Sequence, residues 1–199
     1  MNKPPSTNPK RYAEIVDAAA EVFAEKGYHG ASTKDIADRL GIQQAGIYYY
    51  FKSKDAALAE VCRLGVAGFV ERAREIVKSG EPTDIKIRQA IAAHLRPIHK
   101  KRNYVRVFQQ ERRYLSGDSR KVVSKLSRSY ELELQGLFAD GIQSGALRKD
   151  LSPELATLAM LGMCNLVTVW YRGTAQTDIE HIAKEFADII LDGAANGGQ

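Results

Sequence analysis

The segment 32–54, STKDIADRLGIQQAGIYYYFKSK, admits few folds. Ser32 or Thr33 can cap a helix, and Asp35 or Asp38 near its positive end favours a start there. Lys34 to Leu40 then reads as a short helix with Ile36, Ala37 and Leu40 on one face. Gly41-Ile42 supplies the turn, and Gln44 to Phe51 begins a second short helix at once, with Ile47 and Phe51 continuing the apolar face. This is helix-turn-helix punctuation, and the second helix of such a motif lies in the major groove of duplex DNA.

The flanking sequence supplies the rest of a small head. Tyr12, Ile15, Val16, Ala19, Phe23 and Ala24 recur at helical spacing, so 10–26 is an amphipathic helix that Gly27 stops. Three helices around Phe23, Ile36, Leu40, Ile42, Ile47 and Phe51 form its core. Residues 1–9, polar and carrying Pro4, Pro5 and Pro9, read as a disordered arm. The expected division is an arm at 1–9, a head at 10–53, a body at 54–193 and a tail at 194–199.

The body reads as helix throughout. Ser53 caps a long helix over 54–78, which the Ser79-Gly80-Glu81-Pro82 stretch breaks. Further helices are expected at 84–101, kinked at Pro97, and at 103–115, ending at Gly117. Others follow at 119–144, ending at Gly145, at 152–171 behind a Ser152 cap and Pro153, and at 178–191. The fold class is all-α: a three-helix head and a helical body, about nine helices in total. No apolar run approaches the roughly 20 residues of a membrane span, and no secretory signal is present. Cys62 and Cys164 fit no paired pattern and read as buried thiols in a reducing cytoplasm.

Charge is distributed unevenly. Residues 1–54 carry +2 and 55–93 carry zero. Residues 94–130 carry +9, from eleven Lys/Arg against two Asp/Glu, and 131–199 carry −6. The strongest basic stretch therefore lies outside the head. It is either a solvated surface balancing the acidic last third, partly across a dimer, or an attractor for an anionic effector.

The residues around the motif resemble the TetR family of transcriptional regulators over roughly 10–60. They are Phe23 and Gly27, then Thr33, Ile36-Ala37, Gly41-Ile42, Ile47-Tyr48-Tyr49-Tyr50-Phe51 and Ser53-Lys54. The resemblance implies a DNA-reading head, a ligand-binding body and a homodimer formed through the two C-terminal helices. Two positions depart from the pattern: Tyr50 stands where His is usual, and Ala57 near a usual Leu, with Leu58 taking over the packing. The run Val169-Trp170-Tyr171-Arg172-Gly173 looks like members that sense acyl-CoA thioesters or related lipid metabolites.

Site expectations follow from the motif and the resemblance together. Gln43, Gln44 and Ala45 open the recognition helix; Gln can pair with adenine and Ala can touch a thymine methyl. Gly46 permits close approach to the duplex. Tyr48, Tyr49 and Tyr50 span most of a helix circumference, so at least one ring faces outward, and phenols donate well to phosphate. The resemblance turns Tyr48 and Tyr49 to DNA, while Tyr50 is shared between DNA and packing on the first helix. Thr33, Lys34 and Lys54, at helix starts, suit backbone phosphates. An effector pocket is expected to draw on Tyr104, Phe108, Arg112, Met163 and Trp170.

The histidines show no ligand spacing, and neither a phosphate loop nor a nucleophile elbow is present, so no catalytic residue, metal or cofactor is expected. The expected function is a cytoplasmic bacterial repressor, nucleoid-associated when bound, released from a pseudo-palindromic operator by a small-molecule effector such as an acyl-CoA. An activator on the same fold is one alternative, and a helical carrier with a vestigial head is another.

Overall fold

The computed structural model describes residues 8–171 and 178–194. Helix α1 (Pro9–Gly30) starts with Asn8 accepting the Lys10 N–H and Pro9 in the first turn, where no donor is needed. Asn8 and Pro9 thus belong to a helix start rather than to the expected arm, whose residues 1–7 lie outside the described residues. Gly27, at φ +66°, breaks α1 as its sequence predicts, and one further turn follows before extended Ala31.

Ser32 caps α2 (Thr33–Arg39) in a capping box: its Oγ accepts from Asp35 N–H while the Asp35 carboxylate accepts from Ser32 N–H. The α2 C-terminus closes with Gly41 at φ +63°, donating to Asp38 O while Ile42 donates to Ala37 O. That left-handed position favours glycine. Helix α3 (Gln44–Tyr50) follows, and the Ser53 hydroxyl accepts from Ala56 N–H to start α4 (Lys54–Lys78).

Pro97 does more than kink the expected helix 84–101. Lacking an N–H, it ends α5 (Thr83–Leu95) and opens a separate single turn, α6 (Pro97–Lys100). Helix α7 (Arg102–Glu111) tightens into a 3-10 turn over Arg112–Tyr114 instead of continuing to Leu115. Next come α8 (Gly117–Gln143), α9 (Pro153–Trp170), capped by Ser152, and α10 (Ile179–Ala194), which outruns its expected end at Leu191. Residues 195–199 of the expected tail, and Arg172-Gly173, lie outside the described residues.

The chain divides into two units. Met1–Val66 with Asn103–Lys125 form one, and Ala67–Arg102 with Leu126–Gln199 form the other. The first therefore includes the start of α4 and all of α7 but Arg102, as well as the three head helices. Its buried side chains include Ile15, Val16, Ala19, Phe23, Ile36, Ile47, Phe51, Ala57, Leu58 and Val61, each contributing about 1.5–3 kcal/mol where full-sized. Helices α4 and α7 approach so closely that a Cβ on Gly65 would lie 2.9 Å from the Tyr104 carbonyl oxygen and 3.0 Å from Phe108 Cβ. Tyr104 donates its hydroxyl to Asp17 at 2.6 Å, and the Tyr28 N–H donates to Glu111 at 2.8 Å.

In the second unit, α5, α9 and α10 pack together, burying Ile87, Ile91, Leu95, Met160, Cys164, Val167 and Ile182. His94 joins Thr157 and Thr168 as a buried polar residue here. Its Nε2 faces the Asn165 carbonyl oxygen, an acceptor, so that nitrogen carries the proton and Nδ1 accepts from the Tyr130 hydroxyl at 2.9 Å. Burial lowers its pKa to about 4. Cys62 and Cys164 are buried free thiols, as expected, each pushed up to about 12 by desolvation.

Helix α9 presents an apolar stripe to the outside: Leu155, Leu158, Leu166 and Val169, with Gly162 open between them. Only 33% of its 18 residues are buried within the chain, and by length and composition alone it is apolar enough to cross a membrane, a weak sign in a single helix that packs on α5 and α10.

Candidate nucleic-acid interface

The α2–α3 pair presents its outer surface through residues that find few partners in the chain. Tyr48 and Tyr49 are 50% and 57% exposed, while Ile47 beneath them is fully buried. The helical turn angle thus sends one residue into the core and the next two out. Gln43, Gln44 and Ala45 are exposed at the α3 start, and Lys34 is exposed at the start of α2. Gly46, against Ile42 at 3.3 Å for an added Cβ, keeps the turn tight as well as the surface low.

Thr33 sits under this surface and is only 7% exposed. Its Oγ accepts from Gln44 Nε2 at 2.8 Å and donates to Tyr48 Oη at 3.3 Å. It therefore orients two outward-facing side chains, a role the cap position alone did not reveal. Gln44 keeps its carbonyl oxygen and one amide proton for an outside partner. Tyr50 is half-buried, with its ring 6.3 Å from Tyr12 and edge-on to Tyr49; packing on the first helix is the half of its expected role that the geometry supplies.

Lys54 is placed differently from the sequence expectation. Its ammonium donates to the Tyr28 carbonyl at 2.8 Å and the Ala31 carbonyl at 3.0 Å, and lies 4.3 Å above the Tyr28 ring. It ties the end of α1 to the start of α4. Lys52, two residues earlier, is exposed and has no partner among the described residues. Its only sequence signal was proximity to the motif. Two other cations of this region are engaged elsewhere. Arg39 bridges Glu21 and Glu25, and Lys26 pairs with Asp35 at 2.5 Å, which with Ser32 holds that carboxyl down to about 2.

The expected effector residues fall into both units. In the first, Tyr104 and Phe108 are buried and Arg112 stacks 4.7 Å over the Phe108 ring. In the second, Met163 is half-buried and Trp170 is 46% exposed at the end of α9.

A capped α2, a glycine-closed turn and an α3 with an outward row of polar and phenolic groups define a DNA-binding protein of the helix-turn-helix class. Comparison with known proteins gives the family. Residues 15–61 match the model of bacterial regulatory proteins of the tetR family, and residues 80–194 match that of the tetracyclin repressor-like C-terminal domain. The chain belongs to the TetR family. It is 28% identical over 201 residues, 98% of each chain, to the HTH-type transcriptional repressor KstR2 of Rhodococcus jostii. It is 29% identical over 187 residues to the fatty acid metabolism regulator protein of Bacillus subtilis, covering 94% of this chain and 96% of that one. Among solved structures, the transcriptional regulator FadR of Bacillus subtilis in complex with stearoyl-CoA superposes with a TM-score of 0.75 at 29% identity. That match covers 92% of this chain and 98% of the other.

Proposed function

We propose that this protein is a homodimeric transcriptional repressor of the bacterial cytoplasm, released from its operator by an acyl-CoA thioester. The observation that carries the DNA-binding half is the α2–α3 surface, on which Gln44 and Tyr48 are held outward by buried Thr33. Gln43, Gln44 and Ala45 read base edges; Tyr48, Tyr49, Lys34 and Lys52 hold phosphates, fixing register without specifying sequence. The effector class rests on the relatives, one named for fatty acid metabolism and one holding stearoyl-CoA. Binding rather than catalysis accounts for every site described.

The exposed α9 stripe gives the dimer its face. Leu155, Leu158, Leu166 and Val169 stand at successive spacings of three, eight and three, so they form one ridge, and exposed Ile189 adds to the apolar surface from α10. A second copy covers this surface isologously, which also accounts for the membrane-like composition of α9. Two recognition helices about one helical turn, ~34–36 Å, apart then match a pseudo-palindrome. The effector weakens binding only to the extent that it prefers the state with the other head spacing.

Selection from a random duplex library tests this reading. It predicts a palindromic consensus with half-sites about one turn apart, and loss of the selected complex when stearoyl-CoA is added. A folded, dimeric protein that enriches no sequence would overturn it. Gln44→Ala should relax preference at one or two base pairs per half-site.

A further inference from the structure

Helix α4 carries an arginine that the second unit leaves without a counter-charge. Arg72 Nε is buried and meets no acceptor among the described residues. The guanidinium lies 5.2 Å over the Phe69 ring, and no carboxylate among the described residues forms an ion pair with it. A buried N–H without a partner is costly, so such a group in a folded protein needs an explanation.

The surroundings supply one. Arg72 lines an open groove of about 470 Å³ between α4 and α5, with Glu75, Ile76, Arg88, Gln89, Ala93 and Arg96 among its walls. That volume is in the range of small-molecule sites. Arg72, Ile76 and Ala93 also line a smaller cavity beneath, of about 10 Å³, which reaches Phe69, Tyr130 and Leu134. The groove thus has a polar rim and an apolar floor. Its other two arginines are already committed within the chain: Arg88 to Asp188 at 2.5 Å and Arg96 to Glu180 at 2.8 Å. Glu75 is the groove's carboxylate, and no ion pair joins it to Arg72. None of the groove's acceptors among the described residues pairs with Arg72.

We propose that this groove binds the anionic head of the effector, with Arg72 as the residue that pairs with a phosphate oxygen and Arg88 and Arg96 as flanking positive charge. The proposal deepens the acyl-CoA reading and rests on it. Guanidinium suits phosphate because its planar donors match two oxygens at once, and the π-face of Phe69 already holds the plane in position. Arg88 and Arg96 contribute less, since each shares its charge with a carboxylate of α10.

The test titrates stearoyl-CoA into the intact dimer by calorimetry, with wild type, Arg72→Gln and Arg72→Lys, alongside the melting temperature and operator affinity of each without effector. Arg72→Gln is expected to bind stearoyl-CoA about ten-fold or more weakly, the loss of a charge-assisted bond pair. Arg72→Lys should recover part of the affinity. Operator affinity should match wild type and the melting temperature should stay close to it, because no internal hydrogen bond or ion pair is removed and only the contact with the Phe69 ring is lost. If wild type binds stearoyl-CoA and Arg72→Gln binds it equally, the groove assignment is wrong while the acyl-CoA reading stands. If weaker binding comes with a lower melting temperature, and Arg72→Lys restores both together, Arg72 is a packing residue and the proposal fails. If wild type does not bind stearoyl-CoA, the reading and the proposal both fall.

Discussion

Replacing Lys54 by Met keeps the aliphatic stem and removes the ammonium. That ammonium makes two charge-assisted hydrogen bonds, at 2.8 and 3.0 Å, to the carbonyls of Tyr28 and Ala31, which no helix ladder satisfies. Bonds to a charged donor contribute about 1.5–3 kcal/mol each when buried. These are part-buried, so water replaces some of the loss, and the pair is worth about 2 kcal/mol after that discount. The contact with the Tyr28 ring adds at most about 1 kcal/mol. A loss of about 2 kcal/mol lowers the melting temperature by about 4–8 °C in a protein of this size. Calorimetry of Lys54→Met measures that shift, and fluorescence anisotropy with an operator duplex at several salt concentrations measures the phosphate contacts. The slope of log affinity on log salt should equal that of wild type, since a lysine committed to carbonyls neutralises no phosphate. Lys52→Met should do the reverse: an unchanged melting temperature, and a slope shallower by roughly two across the two half-sites. A Lys54→Met protein that melts with wild type and shows the shallower slope would refute the structural role. It would mean that the ammonium abandons Tyr28 and Ala31 for DNA.

Gly65→Ala should destabilise by about 1–3 kcal/mol, read as a melting shift, because the added methyl meets the Tyr104 backbone at 2.9 Å and α7 must move. Burial lowers the His94 pKa to about 4, so the unfolded chain takes up the proton first as pH falls. The stability that neutral His94 contributes is complete above about pH 6.5 and is lost between there and about pH 4, on the order of 3 kcal/mol. Denaturant titrations across that range should lose this slope in His94→Gln, and an unchanged slope would place the titration elsewhere. Leu158→Lys with Leu166→Lys should give a monomer by sedimentation, with operator affinity reduced at least ten-fold, since each mutation puts a charge on the exposed α9 ridge. Thr33→Val should leave the head folded but free the Gln44 amide and the Tyr48 hydroxyl, and its binding consensus should broaden at the position Gln44 reads.

The helix-turn-helix was legible because its signals are local. A cap at Ser32 with Asp35 three residues on, a left-handed glycine at 41 and a hydroxyl at Ser53 each act within one turn of the chain, and each appears in the structure doing what its spacing implied. The outward turn of Tyr48 and Tyr49 follows from the same helical geometry once Ile47 is buried. Pro97 was legible as a disturbance, but whether it kinked or divided the helix was not, since that depends on what packs on either side.

Side-chain commitments were decided by tertiary structure. Lys54 looked like a phosphate ligand until the chain brought Tyr28 and Ala31, more than twenty residues earlier, within hydrogen-bond reach. Charge counting passed over Arg72, because 55–93 sums to zero, and marked the basic run after it. Only the fold shows that Asp188, a hundred residues away, takes Arg88, that Glu180 takes Arg96, and that no carboxylate among the described residues pairs with Arg72. Sequence alone determined that this chain makes short and long helices around a DNA-reading turn, because caps, glycines and apolar periods act over a few residues. Which of its charges remain available to a ligand was settled by partners distant in sequence, and local spacing carries no information about those.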